Sequence, residues 1–126
     1  MAVSEDYREY VRDLFTDFGP IRIRSMFGGA GIFRDDLMFG LIIEDQIYLK
    51  TDNHNRTDFE EAGQGPFLFE RKDGRISAMS YYLIPDALYD DTGELSAWAQ
   101  KAFAAAQRGA IKKSPRRKKK SRIRVA

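Results

Sequence analysis

The sequence predicts an α+β domain in which an N-terminal helix, an antiparallel sheet of about five to six strands and a C-terminal helix precede a strongly basic tail. Three observations carry that prediction. Residues 4–18 and 91–106 place apolar side chains at helical spacing, and the residues between them fall into short apolar or alternating runs bounded by turn signals. After Glu94 the chain has no acidic residue, whereas ten Lys/Arg lie between positions 108 and 126.

In the first helix Tyr7, Tyr10, Val11, Leu14, Phe15 and Phe18 form one stripe; Ser4 is placed to cap it, Glu5 and Asp6 suit its first turn, and Gly19-Pro20 ends it. Ile21, Ile23 and Ser25 then alternate with Arg22, Arg24 and Met26, the period of a strand. The glycine-rich segment 27–31 reads as a tight turn that needs positive φ, leading to a strand over 32–34. Strands over 37–43 and 46–50 follow, separated by Asp35-Asp36 and Glu44-Asp45, and such short links make neighbours antiparallel. Gly40 inside the third strand marks a bulge or a close backbone approach. A polar stretch, 51–65, allows a turn or two of helix over 57–62. Strands over 67–71 and 76–83 flank the Asp73-Gly74 turn signal, and Pro85 ends the second. Asp91, three residues before Glu94, opens a final helix bearing Leu95, Trp98, Ala99, Ala102, Phe103 and Ala106.

With 126 residues the chain holds one domain, expected over 1–107, and an appendage, expected over 108–126. The formal charge of +2 hides this division: residues 1–107 carry 11 Lys/Arg against 19 Asp/Glu, a balance of −8, and residues 108–126 carry 10 Lys/Arg and no acid. There is no cysteine, which excludes disulfides, thiolate metal sites and cysteine nucleophiles. The polar start lacks a signal-peptide pattern, and the longest apolar run, 37–43, has seven residues against the roughly 20 needed to span a bilayer. A cytoplasmic protein without membrane contact is expected.

No catalytic constellation stands out. A phosphate-cradling loop joins a strand to a helix, whereas the glycine segment here leads to another strand and lacks a Gly-Lys-Ser/Thr ending. His54 is the sole histidine and has no second soft ligand, so no metal is expected. The acidic pairs Asp35-Asp36, Glu44-Asp45, Glu60-Glu61 and Asp90-Asp91 sit beside turns or helix starts, where solvation or capping explains them. Neither a nucleophile elbow nor a Ser/His/Asp arrangement is visible. Of Tyr81 and Tyr82, neighbours on a strand, one faces the core and the other the opposite side. The chain therefore reads as a non-enzyme without cofactor.

The tail offers Lys112, Lys113, Arg116, Arg117, Lys118, Lys119, Lys120, Arg122 and Arg124 with almost nothing apolar to bury, so it is expected to be disordered when free and to seek polyanions. Non-specific nucleic-acid contact through these residues is one reading. Contact with membrane or acidic protein, a tail folded back on the acidic body, and a merely solubilising tail are the others.

The string Ile23-Arg24-Ser25-Met26-Phe27-Gly28-Gly29-Ala30-Gly31-Ile32-Phe33 resembles the signature of the TfoX N-terminal domain family, the Sxy-like competence regulators. Phe39, Ile47–Asp52, Pro66-Phe67, Met79–Tyr82 with Pro85, and Leu95, Trp98 and Ala99 are similar to further blocks of that family in order, over roughly residues 7–106. The resemblance implies a helix-flanked antiparallel sheet similar to the secretion-chaperone architecture, a role in transcriptional control of DNA-uptake competence in bacteria, and no enzymatic activity. Full-length regulators of this kind carry a second, helical domain, where this chain has the basic tail. Within the signature, Arg24, Met26, Phe27, Gly28, Gly29 and Gly31 mark a hairpin whose exposed side chains would meet a protein partner; core packing of Met26 or Phe27 is the structural alternative. A chaperone-like or scaffold domain with an incidental solubilising tail, self-associating as a homodimer through a sheet edge or helix, is the second functional reading.

Overall fold

The computed structural model describes residues 3–26 and 28–122, and the side chains of those up to 111. Helix α1 (Glu5–Leu14) precedes β1 (Arg22–Met26), β2 (Gly29–Arg34), β3 (Leu37–Ile43) and β4 (Gln46–Lys50); α2 (Arg56–Glu61) leads to β5 (Pro66–Glu70) and β6 (Ile76–Leu83), and a 3-10 turn (Asp86–Asp90) to α3 (Thr92–Arg122). All six strands pair antiparallel in one sheet of order β1-β2-β3-β4-β6-β5. This is the α+β architecture expected. The last hairpin inserts in reverse order, so β6 lies beside β4 and β5 becomes an edge.

Local chemistry explains the elements. Ser4 Oγ accepts from the Tyr7 amide at 3.1 Å and starts α1. Asp35-Asp36 and Glu44-Asp45 all have positive φ, between 50° and 63°, as two-residue type I′ hairpins require. Asp91 Oδ1 accepts from the Glu94 amide at 3.0 Å, while the Glu94 carboxylate takes the Trp98 indole N–H at 3.1 Å instead of closing the capping box.

The glycine segment differs from the expectation. Among its glycines only Gly28 has positive φ, +83°, and β2 already starts at Gly29, paired with Met26. Gly29 is required by crowding: a Cβ there would stand 2.1 Å from the Ile42 carbonyl oxygen. Gly40 neighbours the expected bulge. The register steps from Ile32–Gly40 to Phe33–Met38, which leaves Phe39 unpaired and turns its ring into the core. There it packs 5.0 to 6.0 Å, centroid to centroid, from Phe15, Phe18 and Phe103.

Both α1 and the first half of α3 cover one sheet face, with Val11, Leu14, Leu95, Ala99 and Ala102 packed on Ala30, Ile32, Ile42, Ile47 and Leu49. The final helix, expected to end near Ala106, continues to Arg122. Residues 107, 108 and 110–113 are ordinary or good helix formers, and the helix continues past burial through them and, against propensity, through Gly109 and Pro115. The expected boundary at 107/108 thus falls inside α3. No described helix is long and apolar enough to cross a membrane.

Candidate functional site

Where α3 leaves the sheet, a polar cleft of about 320 Å³ opens between it and the loop after β4, lined among others by Lys50, Asp52, His54, Arg56, Ser80 and Arg108. The loop is built around a buried amide. Asn55 Oδ1 accepts from the Asp52 amide at 2.8 Å and its Nδ2 donates to the Lys50 carbonyl at 3.0 Å, satisfying a side chain that is almost wholly inside. Thr51 is tied to β6 through its amide and the Ser80 carbonyl, 2.8 Å. The buried Thr51 hydroxyl has no hydrogen-bond partner among the described residues.

This frame presents Asp52 to α3. Arg108 Nε and Nη2 donate to the two Asp52 oxygens at 2.7 and 3.0 Å, a bidentate ion pair. The Arg108 hydrogen bond, with the His54 amide at 2.9 Å and the neighbouring positive charge, holds the carboxyl down to about 2. His54 Nδ1 lies 3.5 Å from the same carboxylate. The histidine is an exposed loop residue, as its polar surroundings suggested. Beside the cleft the Lys50 ammonium stands 5.1 Å from the Tyr81 ring centre, and burial pushes the Tyr81 phenol up to about 12, so that it stays neutral.

Arg108 is the first cation of the basic segment, and the structure ties it to the body. Sequence reasoning grouped it with the tail because the 56 residues separating it from Asp52 leave no local signal. The one pointer was that Lys50-Thr51-Asp52 and Met79–Tyr82, two blocks noted for their resemblance, turn out to adjoin in this cleft. Lys112, Lys113, Arg116, Arg117, Lys118, Lys119, Lys120 and Arg122 follow on the α3 backbone; their side chains, and Arg124 altogether, lie outside the described residues.

The signature hairpin lies elsewhere, on β1 and β2. Arg24 is exposed with its guanidinium 5.2 Å over the Phe33 ring, and Met26 is exposed as well. Gly31 makes room for the Met26 and Met38 sulfurs, both 2.7 Å from where its Cβ would be. Phe27 lies outside the described residues.

Residues 13–106 match the model of the TfoX N-terminal domain, which is most of the chain. The chain belongs to the TfoX N-terminal domain family. Within it, the chain is similar to the DNA transformation protein TfoX1 of Aliivibrio fischeri (strain ATCC 700601 / ES114), 26% identical over 107 residues. That alignment takes in 82% of this chain and 51% of the relative, so the chain spans about half the length of the curated relative it matches. The TfoX N-terminal match ends at residue 106, two before Arg108, so the Asp52–Arg108 ion pair joins the family domain to the sequence that follows it.

Proposed function

We propose that this chain is a non-enzymatic regulatory module of the competence type, whose α+β body contacts a protein partner and whose basic helical segment contacts nucleic acid without sequence preference. One observation carries the reading. Helix α3 runs from its buried half, Leu95 to Ala106, through Arg108 to Arg122, placing nine Lys/Arg in a segment without a single acid. At about 1.5 Å per residue the 15 residues 108–122 extend about 22 Å along the helix backbone. Such a segment neutralises phosphates by charge and carries no base-reading pattern.

The relative's name as a DNA transformation protein supports the competence setting. Exposure of Arg24 and Met26 supports the signature hairpin as a partner surface. The non-enzymatic reading is supported by the structural work the carboxylates do: two acidic pairs form the I′ turns, Asp91 caps α3 and Asp52 holds Arg108.

The test is fluorescence anisotropy with duplex DNA of two unrelated sequences, using the intact chain and a chain ending at Arg108, at several salt concentrations. The intact chain is expected to bind both duplexes alike, with log affinity falling by about 0.9 per phosphate contact per log unit of salt. The shortened chain should lose that binding. Weak, equal binding by both forms would overturn the proposal.

A further inference from the structure

The edge strand β5 is unprotected in a way that its counterpart β1 is not. Six large apolar side chains stand exposed among the described residues, and three of them, Leu68 (58%), Phe69 (39%) and Ile76 (63%), belong to the β5–β6 hairpin. A fourth, Met26, lines the same apolar groove as Phe67, Phe69 and Met79. β6 pairs with β4 only through Tyr81, Tyr82 and Leu83, so the distal part of the hairpin is a two-stranded arm. Beyond Tyr81 only one face of this ribbon lies toward the rest of the sheet, across that groove, and an edge whose central residues carry no charge invites another strand. β1 carries the exposed cations Arg22 and Arg24, which blunt that edge, whereas β5 has only Phe67, Leu68 and Phe69 between Pro66 and Glu70.

We propose that β5 pairs antiparallel with β5 of a second copy of this chain, about a two-fold axis near Leu68 and Phe69, joining two six-stranded sheets into one. The sequence is self-complementary for this. Apolar residues meet apolar residues at the axis on both faces of the arm, and the irregular pairing of β5 with β6 falls between Pro66 and Leu68, leaving Leu68–Glu70 regular. Charges match at the ends. The hairpin tip holds Arg71, Lys72 and Arg75 against Asp73, and antiparallel pairing brings it beside the stretch of residues 64–66 that leads out of α2 in the other copy. Glu60 pairs with Arg56 at 3.9 Å and Arg75 with Asp73 at 2.9 Å within the monomer, which leaves exposed Glu61 at that end of α2 to face Arg71 and Lys72 of the other copy. The same pairing about β1 would set Arg22 and Arg24 against themselves.

Sedimentation equilibrium of the intact chain without nucleic acid tests this. A concentration-dependent dimer is expected. Leu68→Lys, at a position open to water in the monomer, should raise its dissociation constant by about tenfold or more while the circular dichroism spectrum stays unchanged. Lys72→Glu and Glu61→Lys should each weaken the dimer by about threefold, and the double variant should recover wild-type affinity because the cross-subunit pair is rebuilt with its signs exchanged. A chain that remains monomeric up to about 1 mM, or a dimer indifferent to Leu68→Lys, would overturn the proposal.

Discussion

Severing the Asp52–Arg108 ion pair should loosen the root of α3 by an amount the geometry allows to be worked out. Asp52 is held at about 2 against an ordinary carboxylate value of about 3.9, a difference that corresponds to about 2.5 kcal/mol of linked stability. The pair is partly open to water, with side-chain exposures of 37% for Arg108 and 27% for Asp52, and the His54 amide shares the work. Screening and that sharing reduce the part owed to Arg108 to about 1 kcal/mol. Because the folded value lies below the unfolded one, the contribution is complete above about pH 5 and falls as the carboxylate protonates; half is gone by about pH 3. Urea unfolding of the wild type, Asp52→Asn, Arg108→Gln and the double variant closes a cycle whose coupling should be about 1 kcal/mol at pH 7 and about half that at pH 3. A coupling below about 0.3 kcal/mol at pH 7, or one equal at both pH values, would refute the reasoning.

Two further changes probe the sheet. Gly29→Ala, which must push its methyl into the Ile42 carbonyl, should cost about 3 kcal/mol or more in urea unfolding, whereas Gly65→Ala, with open space and no positive φ, should be close to neutral. Replacing Glu44-Asp45 by Asn-Gly, the pair best suited to the two positive φ values of that turn, should stabilise the domain by about 0.5–1 kcal/mol, read as a higher midpoint in thermal melts.

The fold was largely legible because its signals are local. Helical stripes, strand alternation and two-residue turns each lie within a dozen residues, so α1, the four-stranded meander, α2 and the last hairpin all appear in the expected order, although α1 closes at Leu14 and continues only as turns toward Gly19-Pro20, and β2 starts at Gly29 instead of Ile32. The glycine segment was misjudged because turn glycines and crowded glycines have the same letter: Gly28 needs its φ, but Gly29 is dictated by the Ile42 carbonyl on a strand one hairpin away. The end of α3 was misjudged for another reason. Amphipathic periodicity reports burial, and it stops at Ala106 where burial stops, whereas α3 continues to Arg122 with no buried face and across Gly109 and Pro115, two residues that read as stop signals. The cleft at Asp52 was invisible as a site because Arg108, Asn55 and Ser80 come together only after the sheet and α3 are assembled.

That continuity of α3 alters what the charge balance means. A coil of 19 residues bearing ten cations could lie on a body of charge −8 and cancel it, which is how a net charge of +2 would suggest the protein behaves. A helix cannot fold back on itself. Arg108 is paired at the body's surface, and the segment from there to Arg122 leads away along the helix axis for about 22 Å, against a Debye length of about 8 Å at physiological salt. Beyond its first turns the basic segment is therefore screened from the acidic body and presents its own potential to the surroundings. Six of the body's acids are meanwhile engaged locally: Asp35, Asp36, Glu44 and Asp45 in turns, Asp91 as a cap and Asp52 in its pair with Arg108. The charge of the chain is thus divided between two regions joined by one helix, and the small net value describes neither.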